Sequence, residues 1–111
     1  MIESISMGKL LFNGKVSRSD TIVFKDNMDT KWWIKERNSV QMCDLESVMA
    51  VNPEVIVFGT GFMLPISMSI ETQEEIKNKG IELIIEKSEE AMEIFNSKVK
   101  EKETVGLFHL I

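Results

Sequence analysis

The sequence predicts an α/β domain in which parallel crossover units follow a hairpin-rich front half. Three observations carry this. From residue 44 onward the local signals alternate helix, strand, helix, strand, helix, strand, the order that builds a parallel sheet. Ahead of them, Asn13-Gly14 stands between two short apolar runs, a hairpin signal. The chain has 111 residues, enough for one domain and too few for two. With 43% apolar and 28% charged residues, it is neither disordered nor fibrous in composition.

Residues 1–37 form the hairpin-rich part. Residues 2–7 alternate weakly and predict an opening strand. Lys9-Leu10-Leu11-Phe12 and Lys15-Val16-Ser17 flank Asn13-Gly14, which suits a type I′ turn because both central positions need positive φ. Asp20 to Phe24 adds a short β-branched strand, and Trp32-Trp33-Ile34-Lys35 predicts another, its aromatic residues anchoring one sheet face.

Residues 44–111 form the crossover part. Asp44 is expected to cap a short helix over 45–51, broken at Asn52-Pro53 because proline lacks an amide donor and restrains its predecessor. Glu54 to Phe58 reads as a strand covered on both faces. Thr72 and Glu75 have capping-box spacing for a helix that Gly80 ends. Ile81 to Ile85 predicts a second buried strand. Ser88 is expected to cap a helix in which Ala91, Met92, Phe95 and Val99 recur at helical spacing, and Thr104 to Leu110 predicts the closing strand.

Charge and composition exclude several function classes. The formal charge of −5 argues against a general nucleic-acid binder, which needs Lys and Arg to neutralise phosphates. One cysteine forms no internal disulfide, and one histidine builds no His-rich metal site, so neither a metal nor a cofactor is expected. No secretory signal opens the sequence, and no apolar run nears the roughly 20 residues that span a bilayer. The lone thiol fits a reducing compartment, and a cytoplasmic location is expected. The charge is uneven: residues 1–37 hold seven Lys/Arg against five Asp/Glu, residues 71–111 six Lys against ten Glu. The Glu86–Glu103 segment, with Glu89 and Glu93 four residues apart, is expected to be a solvated helix face. The eight methionines are read as core filler.

Gly59-Thr60-Gly61 is the most suggestive local feature. A glycine turn after a buried strand lets backbone amides approach an anion. The dinucleotide fingerprint needs a third glycine and an immediate helix, and a P-loop needs its lysine; here Phe62-Met63-Leu64-Pro65 follow. The plainer reading is a tight turn at the sheet edge. Cys43 and His109 are the only candidates for a Cys–His nucleophilic pair, which requires contact and an orienting third group; their plainer reading is packing. Ser6, Ser17, Ser19, Ser39 and Ser67 lie in no nucleophile-elbow pattern. Trp32 and Trp33 would face opposite ways on a strand, leaving at most one in the core and the other free to mark an interface.

Together these segments resemble one known family. Pro53-Glu54-Val55-Ile56-Val57-Phe58-Gly59-Thr60-Gly61 looks like its strand-and-turn motif. Gly80-Ile81-Glu82 resembles the start of its next strand, and Ser88 to Asn96 its "T-x-x-A-x-x-x-Y/F-N" helix. Gly106-Leu107-Phe108-His109-Leu110 is similar to its closing strand. Met7-Gly8, Asp20 and Trp33 fall where members tend to carry F-G, D and W. This is the small α/β domain family of unknown function that includes the adipogenesis-associated domain protein and a mitochondrial complex I assembly factor. The resemblance implies a single three-layer domain: a mixed β-sheet flanked by helices, with an added N-terminal β-hairpin layer. Ser39 stands roughly where members commonly carry a histidine, so the resemblance does not carry over chemistry that depends on that histidine. Members are linked to assembly or regulatory roles; with no mitochondrial presequence here, complex I assembly is not carried over.

Two functional expectations follow. The first is a non-enzymatic protein-binding or assembly module, meeting a protein partner or a second copy through the Trp32–Trp33 region. The second is a site for a small anionic ligand, catalytic or not, at Gly59, Thr60 and Gly61, with Lys35 or Arg37 supplying charge. Asn96 is added as a polar contributor by analogy with the family's helix. A pocket with convergent polar groups at 59–61 favours the ligand; a flat surface favours the partner.

Overall fold

In the computed structural model, which describes residues 1–111, the chain opens on three antiparallel strands: β1 (Ile2–Ser6), β2 (Lys9–Phe12) and β3 (Lys15–Ser17). Asn13 and Gly14 both take positive φ, 50° and 79°, as the type I′ turn requires. The Glu3 carboxylate accepts both of their N–H groups at 2.9 Å, and the Gly14 bond leads in holding its pKa below the ordinary value.

The main sheet has five strands. β4 (Thr21–Val23) and β5 (Met28–Asp29) form its antiparallel side; β6 (Ser39–Val40) stands apart. A 3-10 turn over Met42–Leu45 leads into α1 (Glu46–Met49). β7 (Val55–Gly59) follows, then β8 (Ser67–Met68), α2 (Ile70–Asn78), β9 (Glu82–Glu86), α3 (Ser88–Lys98) and β10 (Thr104–Phe108). The order across the sheet is β5-β4-β10-β7-β9, with β10, β7 and β9 parallel. β6 and β8 form a separate parallel pair.

That strand order accounts for the layers. The chain steps from β7 to β9 in one direction and from β9 past β7 to β10 in the other. Since crossovers are right-handed, reversing direction puts α2 and α3 on opposite faces. The strands alternate to match. Ile56, Phe58, Val105, Leu107 and Ile22 face α1, α2 and the Trp32–Leu45 region. Val55, Val57, Phe108 and Val23 face α3 and the hairpin layer, where Ile2, Leu10, Phe12, Ala91 and Phe95 complete the packing. The result is a mixed sheet flanked by helices with an added hairpin layer.

Several local expectations are corrected. Residues 32–35 form no strand: Trp32 inserts into the core, and its segment crosses the sheet face with Trp32 N–H bonded to the Asp20 carbonyl and Trp32 Nε1–H to the Asp44 carbonyl. The sheet edge beside β4 goes to β5 instead. Asp44 does not cap α1; its carboxylate turns back to accept from the N–H groups of Gln41 and Lys35. α2 is capped by Ser69, whose Oγ accepts from Thr72 N–H, so the cap lies three residues before the one expected. Ser88 is fully buried, and its hydroxyl donates to the His109 carbonyl at 2.7 Å rather than capping α3. β9 is an edge strand and only half-buried, where a fully buried one was expected.

Gly59 shows how tightly β7, β10 and α3 meet. A Cβ there would stand 2.8 Å from Ser88 Oγ and 3.0 Å from both Phe108 Cδ1 and the Ser88 Cα. Gly59→Ala is therefore expected to lower stability by about 1–3 kcal/mol, the usual cost of overpacking a closed core. Urea denaturation measures it, and an unchanged midpoint would contradict the packing described.

Candidate functional site: the closed carboxyl edge of the sheet

Ligands of α/β sheets generally sit beyond the carboxyl ends of parallel strands, where the strand order reverses. Here that place is the loop after β7, between connections that run to opposite sides. It is filled by the chain's own residues. Gly59 pairs with Phe108 on one side and Glu86 on the other, and its carbonyl accepts from His109 N–H at 3.0 Å. Thr60 N–H is bonded to the Glu86 carbonyl, and the Thr60 carbonyl accepts from Ile66 N–H. The Gly61 carbonyl accepts from Ser88 N–H. Gly61 has φ +124°, and a Cβ there would lie 2.6 Å from His109 Cδ2, so only glycine leaves room for that ring. The glycine turn is thus shaped around His109.

His109 is held at both ring nitrogens. Nδ1 lies 2.8 Å from Asp20 Oδ2, and Nε2 lies 2.8 Å from the Leu64 carbonyl oxygen. A carbonyl only accepts, so Nε2 carries a proton; the carboxylate draws a second to Nδ1. The hydrogen bond that His109 donates to Asp20 is the largest influence and raises the His109 pKa. Partial burial opposes it, and the Asp20 charge and the Leu64 carbonyl add to the rise. The other Asp20 oxygen accepts from Leu110 N–H at 3.0 Å, and the Leu110 carbonyl accepts from Gly8 N–H at 2.7 Å. One step further, the Ile111 oxygen accepts from the consecutive N–H groups of Phe62, Met63 and Leu64 at 3.2, 2.5 and 3.0 Å.

The remaining expected residues are dispersed. Lys35 and Arg37 are exposed on the turn leading to β6. The Asn96 side chain is committed to β1: its Oδ1 accepts from Ile2 N–H at 2.9 Å and its Nδ2 donates to the Ile2 carbonyl at 2.8 Å. It ties α3 to the hairpin layer, away from the glycine turn. Trp32 is buried, which removes it from the expected interface, while Trp33 is 79% exposed. Cys43 is exposed, with Sγ 3.8 Å from Asp44 Oδ1, and His109 is engaged by Asp20 and Leu64, so the two form no nucleophilic pair. No three His, Cys, Asp or Glu side chains gather as metal ligands. No helix is long and apolar enough to cross a membrane.

Three shallow depressions mark the surface, of about 320, 280 and 270 Å³. They lie beside Pro53 and Lys79, between Ile5 and the acidic face of α3, and under the hairpin at Phe12 and Met28; Gly59, Thr60 and Gly61 line none of them. No local sequence signal pairs Asp20 with His109. Its members lie 89 residues apart, and only the antiparallel match of Thr21 with Phe108 brings them together.

Residues 2–110 match the profile of a family described as "Protein of unknown function (DUF498/DUF598)". No curated protein matches the sequence. Among solved structures, a conserved hypothetical protein from Pyrococcus horikoshii OT3 superposes with a TM-score of 0.83 at 16% identity, covering 99% of this chain and 98% of that one. A Xanthomonas campestris protein solved by NMR gives 0.78 at 19% identity, over 99% and 83%. A crystal structure described as an outer membrane protein from Bartonella henselae gives 0.73 at 19% identity, over 98% and 92%. At these identities the likeness is one of fold.

The His109 geometry has a pH consequence. Its folded pKa is raised above the unfolded value near 6.5. The stabilisation it contributes is therefore fully present below about pH 6.5 and is lost as pH rises through the folded pKa. An NMR titration of the imidazole Cε1–H is expected to show a midpoint above 6.5 that falls in Asp20→Asn. An unshifted midpoint in both proteins would contradict the assignment.

Proposed function

The chain belongs to the DUF498/DUF598 family of proteins of unknown function, and from that premise we propose that it is a non-enzymatic protein-binding module of assembly or regulatory kind. The observation that carries this reading is a set of exposed apolar side chains on fixed backbone around the closed carboxyl edge. Trp33 is 79% exposed, Met63 71% and Leu64 69%, with Met7 and Ile111 each about half exposed. Hydrogen bonds join their segments in one chain of contacts: Trp32 to Asp20, Asp20 to His109 and Leu110, His109 to Leu64, Leu110 to Gly8, Ile111 to Met63. Large apolar side chains grouped at one edge suit a partner, and a tryptophan on a rigid base suits a binding anchor. The covered glycine turn and the commitment of Thr60 N–H to Glu86 favour this reading over a small anion at Gly59-Thr60-Gly61. We place the protein in the cytoplasm, on its single, exposed free thiol.

Affinity capture from native lysate with sizing chromatography tests the proposal. A stoichiometric partner or stable self-association is expected. Trp33→Ala should weaken it by a hot-spot magnitude, about 2 kcal/mol or more. A strictly monomeric protein with no partner, or binding indifferent to Trp33, would contradict it.

A further inference from the structure

We propose that the outer edge of β9 is a docking site where an extended cationic segment of a partner protein adds to the main sheet as a further strand. The sheet has two edges, β5 and β9. β5 has two residues, and a very short edge strand is one way in which proteins blunt an edge. β9 has five, in unbroken register with β7 from Glu82 to Glu86, with no proline and no bulge. Successive residues of a parallel strand direct their backbone groups to opposite neighbours. Glu82 N–H donates to the Glu54 carbonyl, and the Glu86 carbonyl accepts from Thr60 N–H, so Glu82, Ile84 and Glu86 serve β7. Leu83 and Ile85 therefore turn their N–H and C=O groups to the open side, where no strand pairs with them. Main-chain groups in such a row define the conformation of what binds there, an extended strand.

Side chains set the chemistry of that strand. Leu83 and Ile85 lie on the α2 face of the sheet, half-buried against its core. Ile84 lies on the α3 face between Glu82 and Glu86, both exposed. An added strand thus meets Glu-Ile-Glu on one face and Leu-Ile on the other. Its match carries cations at both ends and apolar residues between, since opposite charges across neighbouring strands attract and like charges repel. That pattern is the same read in either direction, so parallel and antiparallel addition both satisfy it. Glu86 has no ion pair, and Glu82 has one at the surface, with Lys98 at 3.4 Å. A second copy of this chain fits poorly. Antiparallel pairing of β9 with itself over all five residues sets Glu82 against Glu86 at both ends.

The inference goes beyond the protein-binding reading, because it rests on main-chain groups of β9 and not on Trp33. Its test separates the two.

The full-length ¹⁵N-labelled protein is titrated with acetyl-Lys-Val-Val-Val-Lys-amide, with its Glu-Val-Val-Val-Glu counterpart, and with the lysine peptide N-methylated at every valine. Saturable shifts at the Leu83 and Ile85 amides, with slower hydrogen exchange at both, are expected with the lysine peptide. The glutamate peptide should bind several-fold more weakly, and the N-methylated one not at all. Glu86→Lys, at an exposed position, should weaken the lysine peptide several-fold, and Trp33→Ala should leave its affinity unchanged. No saturable shift at Leu83 and Ile85, or equal binding of the N-methylated peptide, overturns the added strand. Equal binding of the two charge forms overturns the cationic partner. Protection at both amides that grows with protein concentration alone would put a second copy on the edge and overturn the foreign strand. Loss of affinity in Trp33→Ala would overturn the independence of this edge from the Trp33 surface.

Discussion

Asp20 stands one residue before β4, beside the point where the chain leaves β10, and its two carboxylate oxygens grip two consecutive residues there. Oδ2 faces the His109 ring and Oδ1 takes the Leu110 N–H. The course of everything beyond β10 follows from that grip. Leu110, held in place, reaches Gly8 in the turn between β1 and β2 and so ties the hairpin layer to the sheet. His109, held in place, reaches the Leu64 carbonyl and fills the space that Gly61 leaves. Ile111 then falls where three N–H groups of the Phe62–Leu64 turn can meet its oxygen.

The arrangement turns an ordinary ligand crevice into a closed surface. In the strand order β10-β7-β9, the loop after β7 lies where a parallel sheet normally opens. Here the loop donors and the segment beyond β10 satisfy each other, and the side chains that this displaces outward are apolar. A pH-responsive ion pair, an apolar rim and a turn with its donors filled therefore share one edge and one set of backbone contacts. The opposite end of the sheet has a depression beside Pro53 and Lys79, and there Glu54 is bonded to Glu103 and Glu82.

Much of the fold was legible in the sequence because its signals are local. The Asn13-Gly14 turn, the apolar run of β7, the glycine after α2 and the helical spacing of Ala91 and Phe95 each act within a few residues of themselves. Several of the misreadings come from side chains and backbone donors with distant partners. Ser88 resembles a helix cap, yet its hydroxyl serves the His109 carbonyl 21 residues on. Asn96 resembles a ligand group and instead completes the backbone of Ile2, 94 residues away. Trp32-Trp33 has strand composition, but one indole is drawn into the core and the backbone donors go to aspartates rather than to a neighbouring strand. The candidate site was half legible. The glycine turn marked its position, while the Asp20–His109 pair that organises it becomes visible only once β4 and β10 are known to be neighbours.

The central claim is that one carboxylate couples three otherwise separate segments. Amide hydrogen exchange in Asp20→Ala addresses it most directly, since exchange reports local opening segment by segment. The account predicts that Gly8, Phe62, Met63, Leu64 and Leu110 lose protection together while the amides of β7 keep theirs. Loss confined to Leu110, with the turn at 62–64 and Gly8 unchanged, would contradict it.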